Sequence, residues 1–144
     1  MQNMTLDEFV TTHNGQFVHF DAMFGAQCMD LYREYVKRVL GFEQSKGVSN
    51  AWQVFFNFDP ALWERIPYKK GIHPTPGCVV IWSKWVSVKL TGHISVYVKP
   101  GEKLPMTCFS QNDPGGTPAR LREYSYRYVL GWLRPKIPVP VGGL

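Results

Sequence analysis

Cys28 stands where a cysteine could act as a nucleophile. It follows a turn-like segment, Phe24-Gly25-Ala26-Gln27, and begins a stretch with helical periodicity. The N-terminus of a helix carries partial positive charge and unsatisfied N–H groups, which lower the pKa of a thiol and favour the nucleophilic thiolate. The alternative is that Cys28 is only the first apolar residue of a buried helix face, and its position alone does not exclude this.

A thiol nucleophile needs an imidazole within hydrogen-bonding reach and a third group that fixes the imidazole tautomer. His93 is the preferred base among the four histidines, because it follows Thr91-Gly92, where the backbone can turn sharply, and opens a strand-like segment. Asn112 ends another strand-like segment, and its amide could accept a hydrogen bond from the ring. Each residue also has an ordinary interpretation: a structural histidine for His93, and a turn residue within Asn-Asp-Pro-Gly for Asn112.

Helical signals dominate the first part of the chain, which would position the cysteine. Thr5-Leu6-Asp7-Glu8 fits a capping box and predicts a short helix. From Cys28 onward, apolar residues recur at three- and four-residue steps and predict a longer amphipathic helix that Gly41 ends. Residues 49–66 predict one or two short helices, with Asp59-Pro60 as a helix start.

Strand signals dominate the second part. A loop over residues 72–77 contains two prolines, and the segments rich in β-branched and aromatic residues after it are 78–82, 93–98, 105–111 and 124–133. Helices followed by strands predict an α+β fold, with N-terminal helices packed on an antiparallel sheet of about four to six strands. At 144 residues we expect one domain over residues 1–135, followed by a Pro/Gly-rich extended tail over 136–144.

The composition argues against several classes of protein. Apolar residues make up 44% of the chain and charged residues 19%, which is typical of a folded domain. The net charge of +5 suits an anionic polymer, but the basic residues are scattered, so a nucleic-acid-binding arm is not expected. Three cysteines at irregular spacing fit neither a disulfide framework nor a zinc motif. The sequence shows no signal-peptide pattern and no run long and apolar enough to span a membrane, so we expect a protein made in a cytoplasm. We also expect a monomer.

Four ordered segments carry these candidate residues or lie between them: FDAMFGAQCMDLYREYV, PTPGCVVIW, TGHISVYV and FSQN. Together they resemble the CHAP family of cysteine- and histidine-dependent amidohydrolases and peptidases, particularly the CHAP domains of phage endolysins. The first is similar to the family's nucleophile segment, D-x-x-x-G-x-Q-C-x-D-L at the start of a helix. YSYRYVLGWLRP resembles the closing CHAP strand, so the resemblance spans about residues 5–135.

The resemblance implies a papain-like fold with Cys28 as the nucleophile and His93 as its base. Asn112 matches the family's asparagine and would orient the imidazole ring. The backbone N–H of Cys28, with help from Gln27, would bind the oxyanion. The implied activity is hydrolysis of an amide bond in bacterial peptidoglycan, either as an N-acetylmuramoyl-L-alanine amidase or as an endopeptidase.

The sequence departs from the family at two positions. Ser110 stands where many endolysins have a glutamate, so the accessory orienter of the imidazole would be neutral. Residues 110 and 112 share one face of a strand, and Asp113 could substitute only if the strand ends before it. Cys78 stands where the family usually has an aspartate, and we expect this thiol to be buried rather than a rival nucleophile.

Some CHAP domains bind calcium in the loop before the cysteine. Asp21 and Asp30 match acidic positions of that site, whereas His19 and Gly25 stand where other ligands often lie. Calcium prefers about six to eight oxygen ligands, so the resemblance leaves Ca²⁺ as a cofactor that is not required. The alternative is that Asp30 caps the helix or forms a salt bridge and that Asp21 serves a turn.

The expected partners are peptidoglycan and, through the basic charge, anionic wall polymers, with binding that is sensitive to salt. The protein would reach the wall after release by a holin or on a virion. Its substrate groove would be walled by some of four aromatic residues: Trp52, Trp82, Trp85 and Tyr97. Two alternatives stay open: a CHAP-like module that binds wall without cutting it, which Ser110 favours, and a CHAP-type amidase that acts on a small soluble amide.

Overall fold

The fold is built on one antiparallel sheet of six strands. The computed structural model describes residues 3–19, 27–43, 50–86 and 90–143. Within these ranges the strands are, in chain order, β1 (Trp63–Pro67), β2 (Val79–Trp82), β3 (His93–Pro100), β4 (Met106–Ser110), β5 (Arg120–Tyr124) and β6 (Val129–Pro135). Their order across the sheet is β1-β6-β2-β3-β4-β5, and neighbouring strands are antiparallel. The predicted α+β fold is confirmed.

The first helix, α1 (Leu6–His13), begins where the capping box predicts. The hydroxyl of Thr5 accepts from the backbone N–H of Glu8 at 3.1 Å, and the Glu8 carboxylate accepts from the N–H of Thr5 at 3.0 Å. The first two N–H groups of the helix donate to the carbonyls of Pro140 and Val141, at 2.7 and 3.0 Å. The C-terminal tail is therefore attached to the start of α1.

The second helix, α2 (Cys28–Tyr35), begins at the candidate nucleophile and continues as a π-helical turn over Val36–Leu40. Gly41 ends it with a φ of 81°, a left-handed conformation that glycine adopts without strain, as the sequence predicts. No helix in the described ranges has the length and apolar character that a membrane span requires.

Both faces of the sheet are covered by buried side chains. The strands alternate apolar residues toward α1 and α2, and this larger cluster includes Phe9, Leu31, Tyr35, Ile94, Val96 and Phe109. A smaller cluster on the opposite face includes Trp82, Tyr97, Cys108 and Trp132. His93 pairs with Trp82 across β2 and β3, which places it at the end of the sheet where β3 begins.

Two elements differ from the prediction. Where residues 49–66 are described, from Asn50 onward, they form a 3-10 helix, Ala51–Phe55, and then enter β1, so the predicted helix at Asp59-Pro60 is wrong. Asp59 instead closes a turn, because its carboxylate accepts from the N–H of Ala61 at 2.9 Å. The segment 124–133, predicted as one strand, is the end of β5 and most of β6, which are separated by a turn.

Candidate active site

Cys28 occupies the first position of α2 because the residues around it cap that helix. Gln27 is the N-cap residue, and its backbone N–H donates to the Asp30 carboxylate at 2.9 Å. Asp30 is 4% exposed, and its buried carboxylate caps the helix by accepting this hydrogen bond. The thiol of Cys28 therefore lies among the N–H groups of the first helical turn.

The sulfur of Cys28 also reaches the beginning of β3. It accepts hydrogen bonds from the backbone N–H groups of Ile94 and Met29, which lower the thiol pKa. Burial outweighs these donors and raises the pKa of Cys28 to about 11, and the negative charge of Asp113 acts in the same direction. Because Ile94 directly follows His93, the contact brings the nucleophile to the strand that carries the candidate base. At rest the thiol is neutral.

Gly92 fixes the entry of the chain into β3 just before His93. Its φ is 73°, and a Cβ atom there would lie 2.7 Å from the carbonyl oxygen of Trp82 and 2.8 Å from the Cβ of Trp52. Only glycine fits this approach, so the sharp turn that the sequence predicts before His93 is confirmed.

His93 is 6% exposed and lies between aromatic rings. Its ring centroid is 5.2 Å from that of Trp82 and 5.9 Å from that of Tyr124. Burial lowers the pKa of His93 to about 4, because the charged imidazolium is poorly solvated there; Asp113 opposes this shift and the cation of Arg122 adds to it. The ring is therefore a neutral imidazole near neutral pH, with a nitrogen that can accept a proton.

Three polar groups surround Nε2 of His93. The hydroxyls of Ser110 and Tyr124 each lie 3.5 Å from it, and the Asp113 carboxylate lies 3.8 Å from it. The Tyr124 hydroxyl donates to the same Asp113 carboxylate at 2.8 Å, and an Arg122 guanidinium nitrogen lies 3.3 Å from it. The structure thus brings Ser110, the predicted accessory orienter, to the imidazole together with a carboxylate that is itself held by two groups.

Asn112 is placed differently from the prediction. Its side-chain N–H donates to the Gln27 side-chain oxygen at 3.2 Å, and its own oxygen accepts from Gly116 at 2.7 Å. Within the described part of the chain, Asn112 is thus placed against Gln27 and not against His93. The physical reason is a backbone φ of 61° at Asn112, which turns its side chain away from the face that Ser110 occupies.

Gln111 is a buried residue that the sequence analysis did not single out. Its amide oxygen accepts from the N–H of Val18 at 2.7 Å, and its nitrogen donates to the carbonyls of Gln27 and Val18 at 2.8 and 2.9 Å. The end of β4 therefore fixes the residue that precedes the nucleophile. The FSQN segment was the available signal, because a polar residue at the end of a buried strand needs buried partners.

No family model matches the sequence, and no curated protein matches it. Among solved structures, the crystal structure of a wild type endolysin, LysIME-EF1, superposes with a TM-score of 0.74 at 24% sequence identity. The alignment covers 97% of this chain and 66% of the endolysin, so the chain spans about two thirds of that protein's length. The chain has an endolysin-like fold.

The remaining residues of the predicted site differ in how much of each side chain is exposed. Trp82 and Tyr97 are buried and cannot wall an open groove, whereas Trp52 is partly exposed and Trp85 is 63% exposed. Cys78 is fully buried as expected, and its sulfur lies 3.4 Å from the Thr75 hydroxyl.

The predicted calcium site lies partly outside the described residues. Asp21, one of its two carboxylates, lies outside the described residues, as does Gly25. Asp30 accepts the capping hydrogen bond from Gln27. Among the described residues, no group of three or more His, Cys, Asp or Glu side chains is placed to hold a metal ion. Calcium binding therefore stays a prediction.

Proposed function

We propose that this protein is a peptidoglycan hydrolase that cleaves an amide bond with Cys28 as its nucleophile. The observation that carries the proposal is the meeting of three groups at one end of the sheet. The Cys28 thiol lies at a helix N-terminus and against the N–H of Ile94, the residue that follows His93, and a carboxylate lies 3.8 Å from Nε2 of His93. The endolysin-like fold supports the same class of substrate.

The first chemical step is the attack of sulfur on the amide carbonyl. Because Nε2 of His93 faces Asp113, the other ring nitrogen, Nδ1, is the one that takes the thiol proton. The sulfur forms a bond to the carbonyl carbon and the C=O electron pair moves to oxygen. When the tetrahedral intermediate collapses, the C–N bond breaks, the imidazolium gives its proton to the departing amine, and a thioester remains. Water, deprotonated by His93, then hydrolyses the thioester and restores the thiol.

Asp113 is the group that stabilises the imidazolium formed in these steps. A neutral imidazole is preferred at rest because the site is buried, so the proton transfer separates charge in a poorly solvated place. The Asp113 carboxylate favours the protonated ring, and its contacts with Tyr124 and Arg122 keep it in position. We therefore assign to Asp113 the orienting role predicted for Asn112, with Ser110 as a second neighbour of the ring.

Gln27 and the N–H of Cys28 are the donors proposed for the oxyanion. The Gln27 side-chain oxygen accepts from Asn112, which distinguishes the two ends of the amide and identifies its NH₂ group as the donor end. Gln111 holds the Gln27 carbonyl at 2.8 Å, so the backbone at this position is fixed as well. Asn112 acts here as a positioning residue for the oxyanion site.

The proposed acyl-enzyme route is the same whichever amide bond of peptidoglycan is cut. An N-acetylmuramoyl-L-alanine amidase and an endopeptidase would use the same acyl-enzyme route, in a monomer that acts on the wall after release by a holin or from a virion. The carboxylate of Asp113 near His93 favours the hydrolase over the alternative of a binding module, because Ser110 is then not the only neighbour that could stabilise the ring.

The test is clearing of a purified peptidoglycan suspension by the parent chain and by Cys28→Ala, each with and without calcium. We expect clearing by the parent and none by the variant, and mass spectrometry of the fragments then identifies the bond. If the parent chain leaves walls from several bacteria intact, the lytic function is wrong. A soluble amide would then be the substrate to examine.

A further inference from the structure

The connection from β2 to β3 carries an aromatic and cationic surface beside His93. A 3-10 turn, Lys84–Val86, follows β2 almost directly, and the last residue of β2 pairs with His93. Trp52 flanks the same end of the sheet, because its backbone N–H donates to the carbonyl of Thr91 at 3.3 Å, two residues before His93. This surface therefore adjoins the end of the sheet that carries the candidate base.

The side chains of this turn face water. Trp85 exposes 63% of its surface, although it is the kind of residue that folding usually buries. The ammonium of Lys84 lies 5.2 Å from the ring centroid of Trp85 and 5.9 Å from that of Trp52. A large flat ring left in water beside a candidate active site, with a cation at its side, is typical of a recognition surface.

Tyr128 extends this surface from a second turn. Its carbonyl accepts from the N–H of Ser83 at 2.8 Å, so the turn between β5 and β6 lies against the connection from β2. Tyr128 is 43% exposed, and the guanidinium of Arg127 lies 5.0 Å from its ring centroid. Its φ of 65° is costly for a bulky residue, and such strain collects at binding sites. Two adjoining turns thus each present an exposed ring with its own cation.

The chemistry of this surface suits a sugar chain better than a peptide. A pyranose ring has an apolar face of C–H groups, which a flat aromatic ring can cover, and a rim of oxygens, which ammonium and guanidinium groups can bind. One common way to bind an extended peptide is to add it as a strand to an exposed sheet edge. The edge strands are β1 and β5, whereas the surface lies at the ends of the interior strands β2 and β3.

We propose that Trp85 and Tyr128, with Lys84 and Arg127, bind the glycan strand of peptidoglycan through its N-acetylated amino-sugar rings. The inference rests on the proposed function, because it supplies the sugar-binding side of a site whose Cys28 cuts an amide of the same polymer. It also selects Trp85 among the aromatic residues that were expected to wall the groove, and it adds Tyr128.

The binding test uses the full chain carrying Cys28→Ala, so that nothing is cleaved. A tetramer of N-acetylglucosamine is titrated into it, and binding is measured by calorimetry. Adding Trp85→Ala should weaken binding by about tenfold or more, with folding unaffected because the side chain is exposed. Leu104→Ala is the matched control, since Leu104 is 42% exposed in the turn between β3 and β4, at the opposite end of the sheet.

A second measurement uses the chain with Cys28 intact and purified peptidoglycan. Trp85→Ala should raise KM by about tenfold and leave kcat within about twofold, because the ring holds substrate and does not touch the reacting atoms. Leu104→Ala should change neither value.

The outcomes separate this inference from the proposed function. Clearing of walls with an unchanged KM after Trp85→Ala keeps the hydrolase and overturns the glycan site. Tetramer binding that depends on Trp85, in a chain that clears no walls, keeps the glycan site and overturns the hydrolase. Equal binding of the tetramer with and without Trp85 would show that the proposal is wrong. Binding of poly(glycerol phosphate) but not of the tetramer would also overturn it, and would show that the cations serve an anionic polymer.

Discussion

The carboxylate of Asp113 lies 3.8 Å from Nε2 of His93, although it would point away from the ring if β4 continued through residue 113. β4 ends at Ser110, and Asn112 takes a left-handed conformation with a φ of 61°, so the chain turns and carries Asp113 back to the imidazole. The hydroxyl of Tyr124 then holds the carboxylate at 2.8 Å. His93 thereby has a negative charge near its ring, although Ser110, at the position where many endolysins have a glutamate, is neutral.

Asp113→Asn tests the charge at this position while keeping the size of the side chain. The variant no longer places a negative charge beside the imidazolium, so kcat for peptidoglycan should fall by about 10- to 100-fold, which corresponds to about 1.4–2.7 kcal/mol of lost transition-state stabilisation. KM should change little, because the carboxylate is proposed to act through His93 and not on the substrate. Steady-state kinetics on purified walls give both values.

Asp59→Asn is the control for Asp113→Asn, because Asp59 caps a turn between the 3-10 helix and β1. It should leave kcat unchanged. A kcat that survives Asp113→Asn but collapses in Asn112→Ala would return the orienting role to Asn112.

The protonation states of Cys28 and His93 predict an unusual pH dependence. Burial lowers the pKa of His93 to about 4, so hydrolysis should persist as the pH falls below about 6.5, the ordinary histidine value, and be lost near 4, where the base becomes protonated. Burial raises the pKa of Cys28 to about 11, so alkylation by iodoacetamide, which needs the thiolate, should accelerate steadily through the alkaline range. Rates are followed by mass spectrometry, with Cys28→Ala as the blank. A rate that is already at its plateau near neutral pH would mean that a thiolate–imidazolium pair exists at rest.

The features that the sequence predicts correctly are those encoded within a few consecutive residues. The capping box at Thr5, the helix that opens at Cys28 and the glycine turn before His93 each depend on neighbours along the chain. β1 was missed because its hydrogen bonds come from β6, about seventy residues away, where Trp63 pairs with Pro135.

The position of Asp113 was missed for a related reason. Where β4 ends is decided by the left-handed backbone at Asn112, and the partners of the carboxylate arrive on β5. The sequence indicates that Asp113 can reach the ring only if the strand ends before it, but it does not show where the strand ends. Tyr124 and Arg122 carried no signal of their own, since one polar face of an edge strand looks like any other.

His93 should make the stability of the fold depend on pH. Its pKa is lowered to about 4 in the folded protein, whereas in the unfolded chain it is about 6.5. Between these values the unfolded chain binds a proton that the folded chain does not, so the free energy of unfolding falls as the pH falls through this window, by up to about 3 kcal/mol. The melting temperature of His93→Gln should therefore decline less over the same range than that of the parent chain.

His73→Gln is the control for this measurement, because His73 is exposed and bonded to the Tyr126 hydroxyl outside the candidate site. It should retain the decline of the parent chain. Identical slopes for the parent and His93→Gln would show that the ring takes up its proton without cost to folding.

Asn112→Ala separates the two functions that an asparagine could serve in this site. In the structure its side chain holds the Gln27 amide at 3.2 Å, so the variant should weaken the oxyanion site and lower kcat by about 10- to 100-fold. Alkylation of Cys28 by iodoacetamide forms no oxyanion, so its rate and its pH profile should stay as in the parent chain. Asp113→Asn should instead change that profile, because the negative charge of Asp113 raises the pKa of the Cys28 thiol. If Asn112→Ala shifts the alkylation profile as Asp113→Asn does, the asparagine acts on the thiol–imidazole pair, and its assignment to the oxyanion site is wrong.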